Sequence, residues 1–189
     1  MARPYTLKKR AEQKAETRQR IVEAAVNLHS TLGPARTTLS MVAEKAGVQR
    51  HTLYAHFPDE RALAMACSGH VYTQDPLPDA AAWRAIADTR ERLTAGLTAI
   101  YGWYARHASL MSCIVRDAEH HALTQEIGAL RFMPSTEAWQ SVLGAKLNAK
   151  QRAMLHLALS FHTWRTLVQK AGLKQVAAVE AMIAVVEGR

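Results

Sequence analysis

Residues 37–63 contain two short helical patterns joined by a glycine, and this stretch constrains the fold of the chain more than any other. Thr38 is a fitting N-cap for a first helix whose apolar residues recur at helical spacing. Gly47 follows, because glycine enters the left-handed conformation at a helix end without a Cβ penalty. A second helix from Gln49 to His56 stops at Phe57, since the proline at position 58 disfavours helix in the residue before it. The pattern predicts a helix-turn-helix over residues 38–57, the unit that places its second helix in the DNA major groove.

The second helix of this motif carries polar side chains on the faces that point away from the predicted core. Leu53 and Phe57 lie four residues apart and would anchor the helix. The other faces present groups that can bond base edges or phosphates. We predict base contacts from Gln49, Arg50, His51 and Thr52, and phosphate contacts from Thr38, Tyr54 and His56.

Residues 15–63 resemble the DNA-binding domain of the TetR (tetracycline-repressor-like) family of transcriptional regulators. The resemblance rests on the run IVEAA at 21–25, the threonine pair 37–38, AGV at 46–48 and, above all, TLYAHF at 52–57. Family members often have Lys or Arg at the position of Glu60, and here Arg61 stands beside it. The resemblance implies a dimeric, ligand-responsive regulator, most often a repressor, of a palindromic operator. Thr37 and Arg61 complete the expected set of DNA contacts.

Basic residues are concentrated at the N-terminus, where residues 1–20 hold seven Lys or Arg against Glu12 and Glu16. A basic run before a helix-turn-helix suggests an arm that lies along the phosphate backbone or in the minor groove. A solvated tail without a partner is the alternative. We expect residues 1–12 to be disordered without DNA, with Lys8, Lys9 and Arg10 as the arm's phosphate contacts, and a first helix from about Gln13 to Thr31.

Composition favours an all-α fold. The chain of 189 residues is 49% hydrophobic, has only six prolines and nine glycines, and shows no alternating runs of β-branched residues, so no sheet is expected. No apolar run reaches the ~18 residues of a membrane span, and no apolar segment follows the charged N-terminus as in a secretory signal. Two cysteines, Cys67 and Cys113, do not form a disulfide framework. We therefore expect a cytoplasmic protein that does not bind membranes.

We predict two domains: an N-terminal three-helix helix-turn-helix DNA-binding domain, residues 1–58, and a C-terminal helical ligand-binding and dimerisation domain, residues 59–189. A helix over 59–73, capped by Asp59, would link them, and in the family its tilt transmits the signal. Two prolines within 73–78 mark the break. Later helices are expected at 79–107, 109–116, up to about 131 with a break near Pro134, 135–144, 148–171 and 173–187.

The helix predicted at 148–171 is apolar over most of its circumference and must be covered on two sides. We predict that its own domain covers one side and the same helix pair of a second subunit covers the other, around a two-fold axis. A monomeric core is the alternative. The candidate dimerisation residues are Met154, Leu157, Phe161, Trp164, Val168, Val179 and Ile183.

Aromatic, soft and polar-tipped side chains in the C-terminal part suggest an effector pocket, because small-molecule sites have mostly apolar walls with a few donors. The candidate lining residues are Trp103, Tyr104, Met111, Cys113, Phe132, Trp139 and His162. For each of these residues the alternative is a place in a solid core.

Metal and catalytic chemistry find little support. Cys113, Asp117 and His121 follow one another at intervals of four, a weak metal signal, and no nucleophile elbow, phosphate loop or zinc-protease motif occurs. We expect no metal, no cofactor and no enzyme activity. The expected partners are double-stranded operator DNA, a second copy of the chain and a small-molecule effector. An activator or dual regulator on the same fold, or a helical small-molecule-binding protein or enzyme, are the alternatives.

Overall fold

The computed structural model describes residues 3–188, with side chains from Lys8 onward. This range contains eleven α-helices and no β-strand, so the all-α prediction is confirmed. None of these helices combines the length and the apolar character that crossing a membrane requires. The chain divides into two compact units. We call Met1–Asp75 with Ser112–Ile127 the N-terminal unit, and Pro76–Met111 with Gly128–Arg189 the C-terminal unit.

Four complete helices form most of the N-terminal unit: α1 (Arg3–Thr31), α2 (Leu39–Ala46), α3 (Arg50–His56) and α4 (Glu60–Gln74). The end of α7 (Ala108–Asp117) and the start of α8 (Ala122–Leu143) complete it. Their buried side chains form one core of small and aliphatic residues around Phe57: Ile21, Val22, Ala24, Ala25, Val42, Ala43, Ala46, Leu53, Leu63 and Cys67.

The local signals of the helix-turn-helix have the predicted structure. The Thr38 hydroxyl accepts a hydrogen bond from the Met41 N–H at 3.3 Å and caps α2. Gly47 ends α2 with φ +64°, in the left-handed region. Asp59 caps α4 by accepting from the Ala62 N–H at 2.7 Å. Leu53 is 0% exposed, so the predicted anchor of α3 is confirmed.

Helix α1 starts much earlier than Gln13, where the sequence placed it, and includes most of the arm that we expected to be disordered. The described structure has helix from Arg3; residues 1 and 2 of the predicted arm lie outside the described residues. The physical reason is composition. Residues 8–20 are mostly Lys, Arg, Ala, Glu and Gln, all good helix formers, and Glu12 and Glu16 each lie four residues from a basic side chain.

The structure also divides the chain differently from our boundary after residue 58. Helix α4 belongs to the N-terminal unit, and residues 112–127 join that unit although they are distant in sequence. The reason is a set of polar contacts between residues 113–126 and the first 61 residues, described below.

The C-terminal unit contains the rest of α7 and α8 together with five further helices: α5 (Ala81–Arg84), α6 (Thr89–Arg106), α9 (Ala149–Ala158), α10 (Phe161–Trp164) and α11 (Gln175–Glu187). The predicted single helix from 79 to 107 is thus two helices. Asp88 caps α6 by accepting from the Glu91 N–H at 2.8 Å. The buried Arg92 guanidinium donates to the carbonyl of Ile86 at 2.7 Å, which stabilises the break between α5 and α6.

Helix α8 runs through Pro134 without the predicted break. A proline removes one backbone donor, but side chains on both sides keep the helix together. The Thr136 hydroxyl donates to the Phe132 carbonyl at 2.7 Å, and Trp139, one turn further on, is fully buried.

The helix predicted at 148–171 is interrupted at Leu159 and Ser160. Ser160 caps α10 by accepting from the His162 N–H at 3.2 Å. The hydroxyls of Tyr101 and Tyr104 donate to the carbonyls of Ala158 and Leu159 at 2.9 and 2.7 Å. These donors come from a different helix, α6, and satisfy two buried backbone carbonyls at the break. After α10 the chain takes a π-helical turn over Arg165–Lys170, and Gly172, with φ +73°, separates it from α11 as predicted.

Candidate nucleic-acid interface

Helix α3 presents one polar surface on the N-terminal unit. Gln49, Arg50 and His51 at its start are exposed. Tyr54 is 43% exposed although it is a large aromatic residue, while Thr52 and His56 are half-buried. The opposite face of the helix carries Leu53 in the core. Of the predicted base-contacting residues, Gln49, Arg50 and His51 are therefore accessible, whereas Thr52 is half-buried.

The two threonines before α2 differ in what they can offer a phosphate. Thr38 uses its hydroxyl oxygen as an acceptor for the Met41 N–H, so its O–H can still donate. The Thr37 hydroxyl already donates to the Gly33 carbonyl at 2.8 Å. Because phosphate oxygens only accept, Thr37 could bind one only by giving up that bond. Thr38 is the better phosphate ligand of the pair.

Arg61 has a protein partner. Its Nε lies 2.8 Å from the Glu126 carboxylate, and both side chains are about half exposed. An exposed ion pair of this kind contributes less than about 1 kcal/mol, so DNA could compete for the guanidinium. Glu60, the neighbouring residue, is exposed as well.

Helix α1 carries the basic residues of the N-terminal run, and two of them, Lys14 and Arg18, lie close to the end of α3. Lys8, Lys9 and Arg10 are exposed on its first turns. Further along, the Arg18 guanidinium lies 4.8 Å from the centre of the Phe57 ring. Desolvation, followed by the positive charges of Lys14 and Arg18, lowers the pKa of His56. Lys14 and Arg18 are four residues apart in sequence, and this spacing indicates that both lie on one face of α1.

The turn that leads into α2 is held by residues from 112–127. The Asp117 carboxylate is 1% exposed and accepts from the Ala35 N–H at 2.9 Å. Arg116 lies 2.7 Å from the same carboxylate and donates to the Leu32 carbonyl at 2.8 Å. Gly33 sits between them with φ +99°, and a Cβ there would collide with both side chains. These contacts fix the backbone just before the helix-turn-helix.

The predicted effector residues do not all come together. Trp103, Tyr104, Phe132 and Trp139 form one aromatic cluster in the C-terminal unit, with ring centres 5.6–6.4 Å apart for the pairs in contact. Met111 is buried in the same unit. Cys113 belongs to the N-terminal unit, where its Sγ lies 3.7 Å from the Ser30 carbonyl. His162 is exposed.

Most of the predicted dimerisation residues are used inside the chain. Phe161, Trp164, Val179 and Ile183 are at most 5% exposed within their own unit, so they pack in its core. Leu157 is 47% exposed, and Met154 and Val168 are half-buried. Two further apolar side chains that we did not single out are exposed nearby in sequence, Leu173 and Val176. An interface in this region would be built from the exposed members.

The three residues of the weak metal-binding pattern make other contacts. Cys113 and Asp117 make the contacts described above, and His121 Nδ1 lies 2.7 Å from the Thr124 hydroxyl. In the part of the chain that the structure describes, no three His, Cys, Asp or Glu side chains are grouped so that they could hold a metal ion.

Comparison with known proteins points to one family. Residues 21–67 match the family model described as bacterial regulatory proteins, tetR family. The HTH-type transcriptional regulator TtgR of Pseudomonas putida is 46% identical over 55 residues, which is 29% of this chain and only 26% of TtgR. An uncharacterised HTH-type transcriptional regulator of Mycobacterium bovis is 28% identical over 144 residues, covering 74% of this chain and 69% of its own length.

Solved structures extend the likeness over nearly the whole chain. A candidate fatty acid metabolism regulator of Clostridium perfringens has a TM-score of 0.65 at 16% identity, covering 90% of this chain and 98% of its own. GusR of Salmonella enterica has a TM-score of 0.63 at 15% identity, covering 92% and 94%. A candidate transcriptional regulator from Saccharomonospora viridis, solved with choline, has a TM-score of 0.61 at 17% identity, covering 92% and 96%. At such identities these likenesses describe the fold. The sequence matches show that residues 21–67 are similar to the helix-turn-helix segment of tetR-family regulatory proteins.

Proposed function

We propose that this protein is a ligand-responsive transcriptional repressor that binds a palindromic operator as a homodimer. Its two α3 helices would enter successive major grooves, with half-sites ~34–36 Å apart. Gln49, Arg50, His51 and Thr52 would contact bases. Thr38, Tyr54, His56 and the basic face of α1 would hold phosphates.

The observation that carries this proposal is the two-sided character of α3. One side, with Leu53, is fully buried in the core, so the helix is rigidly held. The other side presents the exposed side chains of Gln49, Arg50, His51 and Tyr54. A rigid helix with several exposed hydrogen-bonding side chains is what direct readout of base edges requires.

The C-terminal unit supports the regulatory part of the proposal. Its aromatic cluster offers the mostly apolar surroundings of a small-molecule site, and the structural relative from Saccharomonospora viridis was solved in complex with choline. A bound effector would favour a dimer whose α3 helices are wrongly spaced for the operator. Such a shift requires the effector to bind the two states with different affinity.

Genomic footprinting with the purified full chain tests the proposal, because it would identify the operator and the genes beside it. We expect one palindromic site to be protected at moderate ionic strength. Arg50→Ala should then weaken binding to that site by about 1–3 kcal/mol and relax the preference at one base pair. Arg152→Ala, which removes an exposed arginine of α9, is the matched control.

The salt dependence of DNA binding distinguishes phosphate contacts made by the N-terminal arm from base contacts made by α3. Replacing Lys8, Lys9 and Arg10 by Gln should reduce the slope of log affinity against log salt by up to about 3, since each phosphate contact contributes about 0.9. An unchanged slope would remove the arm from the interface. No preference of the wild-type protein for any duplex over random competitor would contradict the proposed function as a whole.

A further inference from the structure

Helix α10 contributes two rings to a compact aromatic group in the C-terminal unit. The ring of Tyr104 lies 5.4 Å from that of Phe161 and 6.1 Å from that of Trp164, centre to centre. Phe161 and Trp164 lie 5.3 Å apart. All three side chains are at most 5% exposed. They form an apolar, water-excluding environment.

Two hydrogen-bond donors in this environment have no acceptor. The indole N–H of Trp164 and the Nε–H of Arg165 are both buried, and neither has a partner among the described residues. The same unit has one further buried donor without a partner, the Nε–H of Arg92, although that guanidinium donates through another nitrogen to the Ile86 carbonyl. Other buried donors of the unit are used: the hydroxyls of Tyr101 and Tyr104 donate to backbone carbonyls, and the Trp139 indole donates to the Pro78 carbonyl at 2.7 Å. Buried polar groups are almost always hydrogen-bonded, so this pair indicates an acceptor from outside the chain.

The backbone at this point is irregular in the way that binding sites often are. Arg165–Lys170 forms a π-helical turn, closed by a hydrogen bond from the Ala171 N–H to the Thr166 carbonyl at 2.9 Å. Such turns are rare and are frequently found at functional sites. Here the turn begins at one unpartnered donor and directly follows the other.

Charge decides which kind of acceptor fits. The Arg165 guanidinium lies 5.8 Å from the centre of the Phe161 ring. It contacts His162 Nδ1 at 3.2 Å and has no carboxylate partner among the described residues. Residues 76–111 and 128–189 contain twelve Lys or Arg against six Asp or Glu. A positive, partly buried guanidinium attracts an anion and repels a cation, so a quaternary ammonium such as choline does not fit here.

We propose that the effector is a small organic carboxylate with an apolar body. Its carboxylate would accept hydrogen bonds from the Trp164 indole N–H and the Arg165 guanidinium, and its body would lie against the ring of Phe161. This assignment rests on the proposed function only in calling the ligand an effector. The binding site itself stands on the two unpartnered donors and the π-helical turn.

Calorimetry on the full chain tests the site with defined probes: phenylacetate, indole-3-acetate and octanoate, each paired with its neutral amide. We expect at least one carboxylate to bind and its amide to bind more weakly. Trp164→Phe, which keeps the ring and removes the donor, should weaken carboxylate binding roughly 10- to 100-fold, as should Arg165→Gln. Arg152→Gln and Trp83→Phe are the controls and should leave the affinity unchanged. Circular dichroism verifies that each variant is folded, and Arg165→Lys replaces Arg165→Gln if the latter is not.

Equal binding of carboxylates and amides overturns the site, as does wild-type affinity in folded Trp164→Phe and Arg165 variants. Binding of none of the carboxylates at millimolar concentration overturns it too. Operator binding is measured separately. Carboxylate binding that depends on Trp164 and Arg165 but leaves operator affinity unchanged supports the site and counts against ligand-responsive repression. A protein that binds these carboxylates but no operator supports the site and counts against the proposed function.

Discussion

The carboxylate of Asp117 accepts a hydrogen bond from the backbone N–H of Ala35 at 2.9 Å, although 82 residues separate the two in sequence. Arg116 binds the same carboxylate and reaches the carbonyl of Leu32. The turn before α2 is therefore held in place by charged side chains from residues 112–127, and several of its properties can be measured.

Substitution of Gly33 by alanine should destabilise the N-terminal unit strongly. Its φ of +99° is unfavourable for alanine, and the added Cβ would collide with Arg116 and Asp117. We expect Gly33→Ala to lower the free energy of unfolding by at least about 2 kcal/mol. Gly128→Ala is the control, because nothing lies within 4 Å of its Cβ; in helix α8 it should stabilise by about 0.5–1 kcal/mol. Urea unfolding of both variants measures this, and equal stability would contradict the clash.

Stability should fall as the pH drops from 6.5 towards 4 because of His29. Burial lowers the pKa of His29 from 6.5 to about 4, although Asp117 opposes the shift. The pKa of His29 is lower in the folded than in the unfolded chain, so its full contribution to the free energy of unfolding is present above the unfolded pKa. That contribution is lost as the pH falls from the unfolded pKa through the folded pKa. The contribution is at most roughly 3 kcal/mol. Replacing His29 by Gln should flatten the pH dependence of unfolding in this window, whereas His156→Gln, at an exposed position, should keep the wild-type slope.

Asp117 should contribute far more than an exposed carboxylate. Burial alone would raise its pKa, but hydrogen bonds from Arg116 and from the Ala35 N–H outweigh it and hold the pKa below 3.8. A carboxyl group of lowered pKa stabilises above its unfolded pKa and loses that contribution as pH falls further. We expect Asp117→Asn to cost about 1.5–3 kcal/mol at neutral pH. Glu126→Gln, which breaks the exposed pair with Arg61, should cost less than about 1 kcal/mol. Thermal and urea unfolding compare the two, and similar losses would count against the buried contact.

The helix-turn-helix could be predicted from sequence because its determinants are local. A cap at Thr38, a left-handed glycine at position 47 and a proline at position 58 each act within a few residues, and each has the predicted structure. The contact between Asp117 and Ala35 could not be predicted in this way, because the sequence around neither residue indicates that the other is its partner. The same holds for the break after Ala158, which depends on hydroxyl donors from Tyr101 and Tyr104 on another helix.

Two glycines inside α6 have different surroundings, although both occupy interior positions of the same helix. Gly96 and Gly102 both lie inside α6, where the absence of a side chain can permit the close approach of a neighbour. A Cβ on Gly96 would lie 2.6 Å from Leu143 Cδ2, whereas one on Gly102 would lie 3.6 Å from its nearest neighbour. Gly96→Ala should therefore destabilise by about 1–3 kcal/mol, and Gly102→Ala should stabilise by about 0.5–1 kcal/mol. Differential scanning calorimetry on the two variants distinguishes them; a stabilised Gly96→Ala would show that Leu143 yields easily.

Leu157 offers a clean test of the proposed dimer. Its side chain is 47% exposed, so Leu157→Glu should fold normally and run as a monomer in light scattering. Phe161→Glu cannot serve this purpose, because Phe161 is buried in the core of its own unit. Leu130→Glu, at a 51% exposed position on α8, should remain dimeric. An intact Leu157→Glu dimer would place the interface elsewhere.

A chimeric regulator can be designed by exchanging the helix-turn-helix part of the chain at the first boundary between helices that follows it. For this chain, cutting at Asp75 would transplant a module that lacks residues 112–127. The amide of Ala35 and the carbonyl of Leu32 would lose their side-chain partners, and His29 would lose the neighbouring Asp117. An exchange that keeps these contacts has to carry both pieces of the chain, because the N-terminal unit is encoded by two separated stretches of the gene.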